Sequence, residues 1–309
     1  MILCIGTTPA AQRVMTFGKL EIDAVNRARE TTDGIAGKSV NVAKVLAKLG
    51  ARPIAVGFVG GERGRELLTT LSARGIENRF VSVAAPTRQC ISILDESTRT
   101  VTELVEESRG VDPEDYERLN AIIDQALPEC DAVVMSGSLT PGGPLDFYRH
   151  ITLQANKHRI LTVVDAQGSP LTQALTAQPG VVKPNRQELA ATVGQTLANE
   201  SELIQAMREV HRRGAARVVV TAGKGPTLAL DDENLWRIVT PAVQAVNPIG
   251  SGDAFTAGLV WRLIRKETLG EACRWATAAG AANALSALPG ELERDVVEKL
   301  AGQVTVTRL

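Results

Sequence analysis

The sequence is poor in the residues that build metal centres and disulfide frameworks. Its four cysteines, Cys4, Cys90, Cys130 and Cys273, are scattered and form no Cys-x-x-Cys pair. That argues against a stapled framework or a thiolate zinc site and leads us to expect reduced thiols in a cytoplasmic protein. The three histidines, His150, His158 and His211, have no partner at ligand spacing, so structural roles are expected. No charge sign dominates either: 34 Lys and Arg against 35 Asp and Glu leave a formal net charge of −1. A broad basic field for nucleic acid or an anionic membrane is thereby excluded. No run approaches the ~20 apolar residues of a membrane span. The opening Met-Ile-Leu-Cys-Ile-Gly lacks a basic flank and is not expected to act as a signal peptide. Gly57 to Gly64 is glycine-rich, but no G-x-G-x-x-G follows the first strand, which leaves a dinucleotide-binding dehydrogenase as a weak reading. There is no internal repeat and no low-complexity linker.

What is present is a chain of 309 residues, 44% hydrophobic, long enough for a large core. Strand and helix patterns alternate. Strands are expected at Ile2 to Gly6, Ile54 to Val59, Ala132 to Met135, Ile160 to Val164, Val181 to Lys183 and Arg217 to Thr221. Helices are expected from about Ala36 to Gly50, 64–73, 112–126, from Leu145, 185–193, 202–213, 253–265, 269–286 and 291–301. This alternation predicts an α/β fold with a doubly wound, mostly parallel sheet. It breaks twice. Residues 9–33 read as irregular strands outside the core, and Gln89 to Leu94 with Thr100 to Val105 read as a β-hairpin. Together, about 9–33 and 87–107 are expected to form a small β lid on one domain spanning 1–309. Thr227 to Leu230 and Leu235 to Val239 read as a second hairpin. Ser136-Gly137-Ser138 and Asp165 fall at the C-terminal ends of strands, where such sheets place ligands.

The chain is organised around Asn247-Pro248-Ile249-Gly250-Ser251-Gly252-Asp253-Ala254-Phe255-Thr256-Ala257-Gly258. A Gly-Ser-Gly turn opening a helix presents the N–H groups of Gly250, Ser251 and Gly252 to an anion, aided by the helix dipole. A carboxylate in such a turn repels a plain phosphate. It makes sense if Asp253 takes a proton from a hydroxyl while the amides hold a transferring phosphoryl group. The alternative is that Asp253 merely caps the helix.

These segments together resemble the ribokinase-type sugar kinases, in their phosphofructokinase B branch. The stretch from Asn247 to Asp253 resembles the family's second signature and Ile35 to Val45 its first. Val25-Asn26-Arg27, Thr87-Arg88-Gln89-Cys90, Ser136-Gly137-Ser138-Leu139 and Lys183-Pro184-Asn185-Arg186-Gln187-Glu188-Leu189 resemble further family segments. Within the branch, the tagatose-6-phosphate kinase and 1-phosphofructokinase group looks nearest.

The resemblance implies a ribokinase-like domain with a β lid that also serves a homodimer. It implies ATP and Mg2+, and a phosphosugar acceptor of the tagatose 6-phosphate or fructose 1-phosphate type. Asp253 then matches the catalytic base, and Gly250, Ser251 and Gly252 the anion hole. Asn185 and Glu188 match residues that hold magnesium and phosphate, Glu188 indirectly, although the pair also fits a helix-capping pattern. Lys183 either reaches a phosphate or is simply solvated. Thr221, Gly223 and Gly225 match the nucleotide loop. Asn283 either lines the adenine pocket or bonds the backbone. Gly37, Lys38, Asn41 and Ser138 match acceptor-side positions, and Arg27, Lys38 and Arg88 are expected around a phosphate already on the substrate.

Three departures stand out. The family's Asn-Pro-x-x-Asp is here Thr8-Pro9-Ala10-Ala11-Gln12, so an amide replaces the acceptor carboxylate. Ala36 and Ser39 stand where glycines are usual. The second glycine of the nucleotide loop, Gly225, is displaced by one position. They keep two other readings open: a kinase for an unphosphorylated sugar or nucleoside, and a sugar-phosphate sensor with weakened turnover.

Overall fold

The computed structural model describes residues 1–309. The chain opens with β1 (Ile2–Ile5), leaves the core for β2 (Ala10–Phe17) and β3 (Glu30–Ala36), and returns in α1 (Lys38–Lys48). Next come β4 (Pro53–Val56), β5 (Phe58–Val59), α2 (Gly61–Ala73), β6 (Glu77–Asn78), β7 (Val81–Ser82) and the hairpin β8 (Arg88–Asp95) with β9 (Thr100–Val105). Alternation resumes with α3 (Pro113–Ala126), β10 (Ala132–Ser136), α4 (Phe147–Lys157), β11 (Leu161–Asp165), α5 (Gly168–Leu175) and β12 (Val181–Val182). Then follow α6 (Arg186–Val193), α7 (Glu200–Arg212), β13 (Val218–Val220) and the hairpin β14 (Thr227–Leu230) with β15 (Leu235–Val239). The helices α8 (Ser251–Leu263), α9 (Leu269–Asn283) and α10 (Arg294–Ala301) precede the last strand, β16 (Thr305–Arg308).

Ten strands form the main sheet in the order β16-β15-β14-β13-β12-β11-β10-β1-β4-β6. From β13 to β6 the pairings are parallel; β14, β15 and β16 add an antiparallel edge. Strand residues alternate between two cores, as period-two side chains require. Ile2 and Cys4 of β1, with Ala132 and Val134 of β10, join the core under α1, α2, α8, α9 and α10. Leu3, Ile5, Val133 and Met135 join the opposite core, under α3 to α7. The near-continuous apolar strands of the sequence are therefore strands buried on both faces, and the fold is ribokinase-like and mostly parallel.

The second sheet, in the order β3-β2-β8-β9, stands at the C-terminal edge of the parallel strands. It draws on the two stretches that broke the alternation and runs on to Ala36. Its strands bring Gln12, Cys90 and Val105 into one row across β2, β8 and β9.

Some details depart from the sequence reading. The strand expected over Ile54 to Val59 breaks at Gly57, where a Cβ would lie 2.0 Å from the Gly6 carbonyl oxygen. Beyond it β5 leaves the main sheet to pair with β7. The helix α5 and the strands β6, β7 and β16 were not anticipated: α5 is only eight residues long, β6 and β7 are two residues each, and β16 is polar and mostly exposed on an edge. The cysteines are buried and unpaired. No helix is long and apolar enough to cross a membrane.

Candidate active site

The C-terminal ends of β11, β12 and β13, the starts of α1, α6 and α8 and the inner face of the lid enclose a cleft of about 380 Å³. The turn at its floor is built by local geometry. Gly250 adopts φ 80°, ψ −3°, and packs so closely that a Cβ would stand 2.8 Å from Pro289 Cβ. Only glycine takes that left-handed conformation without strain. The helix starts at Ser251, two residues earlier than expected, which sets Asp253 in its first turn. Gly250 and Gly252 line the cleft, whereas Ser251 does not, and its N–H is donated to the Pro248 carbonyl at 3.1 Å, so of the three expected anion-hole amides that one is spent on the turn.

Asp253 is 7% exposed. Its Oδ2 accepts a hydrogen bond of 2.7 Å from Asn41 Nδ2 on α1. Burial pushes its pKa up to about 6, and the nearby Asp165 charge adds to this, against the opposing pull of Lys38, Asn41 and Lys183. Its side chain caps nothing: no cap hydrogen bond is made at the start of α8.

Asp165, at the end of β11, is the centre of the charge network. Lys38 Nζ donates to its Oδ1 at 3.1 Å, Lys183 Nζ lies 3.2 Å from its Oδ2, and Thr256 Oγ1 donates to Oδ2 at 3.0 Å. Burial alone would raise its pKa, but the two ammonium groups and these hydrogen bonds hold it below the ordinary carboxylate range. Asp165 in turn holds Lys38 above its usual range, against the effect of burial. The sequence reading placed Asp165 at a strand end without giving it a role; its position was the available signal.

On the α6 side of the cleft, Asn185 Oδ1 accepts from Glu188 N–H at 2.9 Å, and Glu188 Oε2 accepts from Asn185 N–H at 2.7 Å. The capping pattern is thus realised in full. Glu188 Oε1 remains free and lies 3.8 Å from Lys38 Nζ. Lys183 is buried, not solvated, at 3% exposure, and a Cβ on Gly252 would lie 3.8 Å from its Nζ. Thr221 lines the cleft; with Gly223 and Gly225 it also borders a shallower groove beside α6. Asn283 is fully buried and lines neither the cleft nor the groove beside α6. Its Nδ2 donates to Ile249 O at 2.9 Å and its Oδ1 accepts from Gly290 N–H at 2.7 Å. Of the two roles left open for it, the backbone one holds, because both ends of its amide are spent on the turn.

On the lid side, Gly37, Lys38, Asn41, Arg88 and Gln12 all line the cleft. Arg88 is held at the mouth by the Thr8 carbonyl, at 3.1 Å from its Nη2. It also borders a smaller recess of about 150 Å³ with Ser138, Thr8 and Lys38. Gln12 Nε2 donates to Ser92 Oγ at 2.9 Å. Ser92 pairs across the strands with Glu103, a cleft-lining carboxylate that the sequence reading passed over. Arg27 stands apart: it is exposed in the loop after β2, makes no hydrogen bond and does not line the cleft.

No group of three or more acidic, cysteine or histidine side chains could hold a metal ion by itself. Magnesium commonly binds through one or two carboxylates and substrate phosphates, and the free oxygen of Glu188 fits that mode.

Comparison with known proteins agrees with this arrangement. A model of the pfkB family of carbohydrate kinases matches residues 1–293. The tagatose-6-phosphate kinase of Staphylococcus epidermidis is 30% identical over 309 residues, 99% of each chain. The structure of phosphofructokinase-2 from Escherichia coli in complex with fructose-6-phosphate superposes with a TM-score of 0.87 at 26% identity, over 98% of this chain and 97% of that one. A possible 1-phosphofructokinase from Thermotoga maritima gives a TM-score of 0.92 at 24% identity, over 100% and 99%. With its fold and nearly its whole length matched, the chain belongs to the pfkB family of carbohydrate kinases.

Proposed function

We propose that this kinase moves the γ-phosphoryl group of ATP to a hydroxyl of a phosphorylated ketohexose, of the tagatose 6-phosphate or fructose 1-phosphate type. The observation that carries the proposal is the pairing of a buried, proton-hungry Asp253 with the free amides of the Gly250 to Gly252 turn, whose two glycines line the floor of a cleft rimmed by Lys38 and Arg88. Asp253 accepts the hydroxyl proton as bonding to phosphorus advances, and the amides meet the charge growing on the phosphoryl oxygens. Asn41 orients the carboxylate. Magnesium carried by the nucleotide would neutralise phosphate charge, with Glu188 as its nearest protein ligand, directly or through water.

Lys38 bridges Asp165 and the edge of Glu188, which suits it to the transferring group more than to a distal phosphate. The phosphate already on the acceptor then falls to Arg88, whose planar fork of donors fits it. Ser138 borders the same recess. Arg27 would contribute only from a second copy docked through the lid. In the absence of a carboxylate at position 12, Glu103 and Gln12 share the contacts to sugar hydroxyls.

The test is Arg88→Met. An increase of about tenfold or more in the phosphosugar KM, with the ATP KM little changed, is the expected result for a lost charge-assisted phosphate contact. An unchanged acceptor KM would favour an unphosphorylated sugar or nucleoside instead.

A further inference from the structure

One buried charge has no part in the chemistry above. Lys44, on α1, is 2% exposed. Its Nζ donates to the carbonyls of Pro289 at 2.7 Å and Ile35 at 3.1 Å. It also stands 3.0 Å from Glu291 Oε1, to which Arg74 is paired as well. Taking an ammonium out of water costs several kcal/mol before its partners offset it, so what it joins is informative.

The partners come from separate parts of the molecule. Ile35 is the next-to-last residue of the lid strand β3, two residues before Gly37. Pro289 and Glu291 flank Gly290, whose N–H is fixed by Asn283, the residue that also holds the Ile249 carbonyl. Pro289 backs the Gly250 turn directly. Lys44 itself lies three residues beyond Asn41 on the same helix, one turn from the amide that orients Asp253.

We propose that Lys44 is a positioning residue for phosphoryl transfer: it ties the end of the lid to the 289–291 turn and so sets the distance between the anion hole and an acceptor seated under the lid. The role rests on the assignment of Asp253 and the Gly250 to Gly252 amides above. Reactions of this kind lose rate steeply when the reacting groups are displaced by about 1 Å. The atoms that Lys44 orders face the transferring group, so slack there is read in kcat more than in ground-state binding.

The experiment compares Lys44→Met, Lys44→Arg and Asp253→Asn with the native enzyme. Each is assayed with Mg-ATP and either tagatose 6-phosphate or fructose 1-phosphate, whichever the native enzyme turns over, alongside thermal unfolding. For Lys44→Met the expected result is a kcat loss of about 10- to 100-fold with both KM values within about threefold. Lys44→Arg, which keeps a cation, is expected to restore most of kcat. A folded Lys44→Met with native kcat and lowered stability would reduce Lys44 to a structural ion pair and overturn the proposal. So would a folded Lys44→Arg as slow as Lys44→Met. If Lys44→Met does not fold, Glu291→Gln decides: a kcat loss of about threefold or more at unchanged KM supports the proposal, and native kcat contradicts it. The Asp253→Asn arm separates the two levels. Full activity there sinks the reading of the site, whereas its loss together with a native-like Lys44→Met sinks only this inference.

Discussion

Asp253 and Asp165 are both buried carboxylates, yet their surroundings drive them in opposite directions. Asp165 has two ammonium partners and stays ionised; Asp253 has one amide, and burial lifts its pKa to about 6. A protonated Asp253 cannot accept a proton, so kcat/KM is expected to fall on the acid side with an apparent pKa near 6, and a pH–rate profile checks this. The same shift has a sign for stability. An unfolded Asp gives up its proton near pH 4, whereas the folded one holds it to about pH 6. Ionisation therefore removes stability as pH rises through that window, and the loss is complete above it. Asp253→Asn, which mimics the neutral acid, is expected to be more stable than the native protein at neutral pH, on the order of 1–3 kcal/mol by denaturant unfolding, while losing turnover. Equal or lower stability would show that the carboxylate is not held against its preference. At this scale the sequence was legible for Asp253, because glycines and an acid in one turn are chemically unusual. It placed Asp165 at a strand end without a role and was silent on Glu103 and Lys44, because the partners of these residues lie far along the chain and meet only in the folded state.

Turns and caps set these side chains. The α8 turn was readable because its glycines have a reason in backbone geometry, and the folded chain supplies that reason: left-handed Gly250 against Pro289. Gly250→Ala is expected to cost about 1–3 kcal/mol through strain at this φ and to lower kcat more than KM. Unfolding and steady-state kinetics together check it, and a stable, fully active variant would deny the turn its role. At α6, the same asparagine and glutamate serve as capping box and cleft lining, so the sequence pattern for a cap was correct without excluding a place in the site. The elements missed were α5, β16 and the two-residue strands β6 and β7. All are short, and β16 takes its strand conformation from pairing along β15, a contact that no local pattern records.

Across the whole molecule, strand–helix alternation and buried apolar strands made the main sheet legible, and the places where alternation failed marked the second sheet. What no periodicity shows is that this sheet stands over the start of α8. The outer surface of the lid leaves Leu104 51% exposed beside Ile91, its cross-strand partner, with Ile22 and Val25 exposed in the adjoining loop. A homodimer through the lid would cover them; Leu104→Arg is expected to shift a native dimer to monomer by light scattering, and a native protein that is already monomeric would remove this part of the account. Dimer or not, the central claim is phosphoryl transfer to a phosphosugar with Asp253 as base. It is tested most directly by a coupled ADP-release assay with Mg-ATP across tagatose 6-phosphate, fructose 1-phosphate, fructose 6-phosphate, free fructose, ribose and adenosine, with Asp253→Asn run in parallel. Turnover on a phosphosugar, reduced about 10²-fold or more in the folded Asp253→Asn enzyme, is the predicted result. Turnover confined to free sugars or adenosine, or an Asp253→Asn enzyme as fast as the native one, would contradict it.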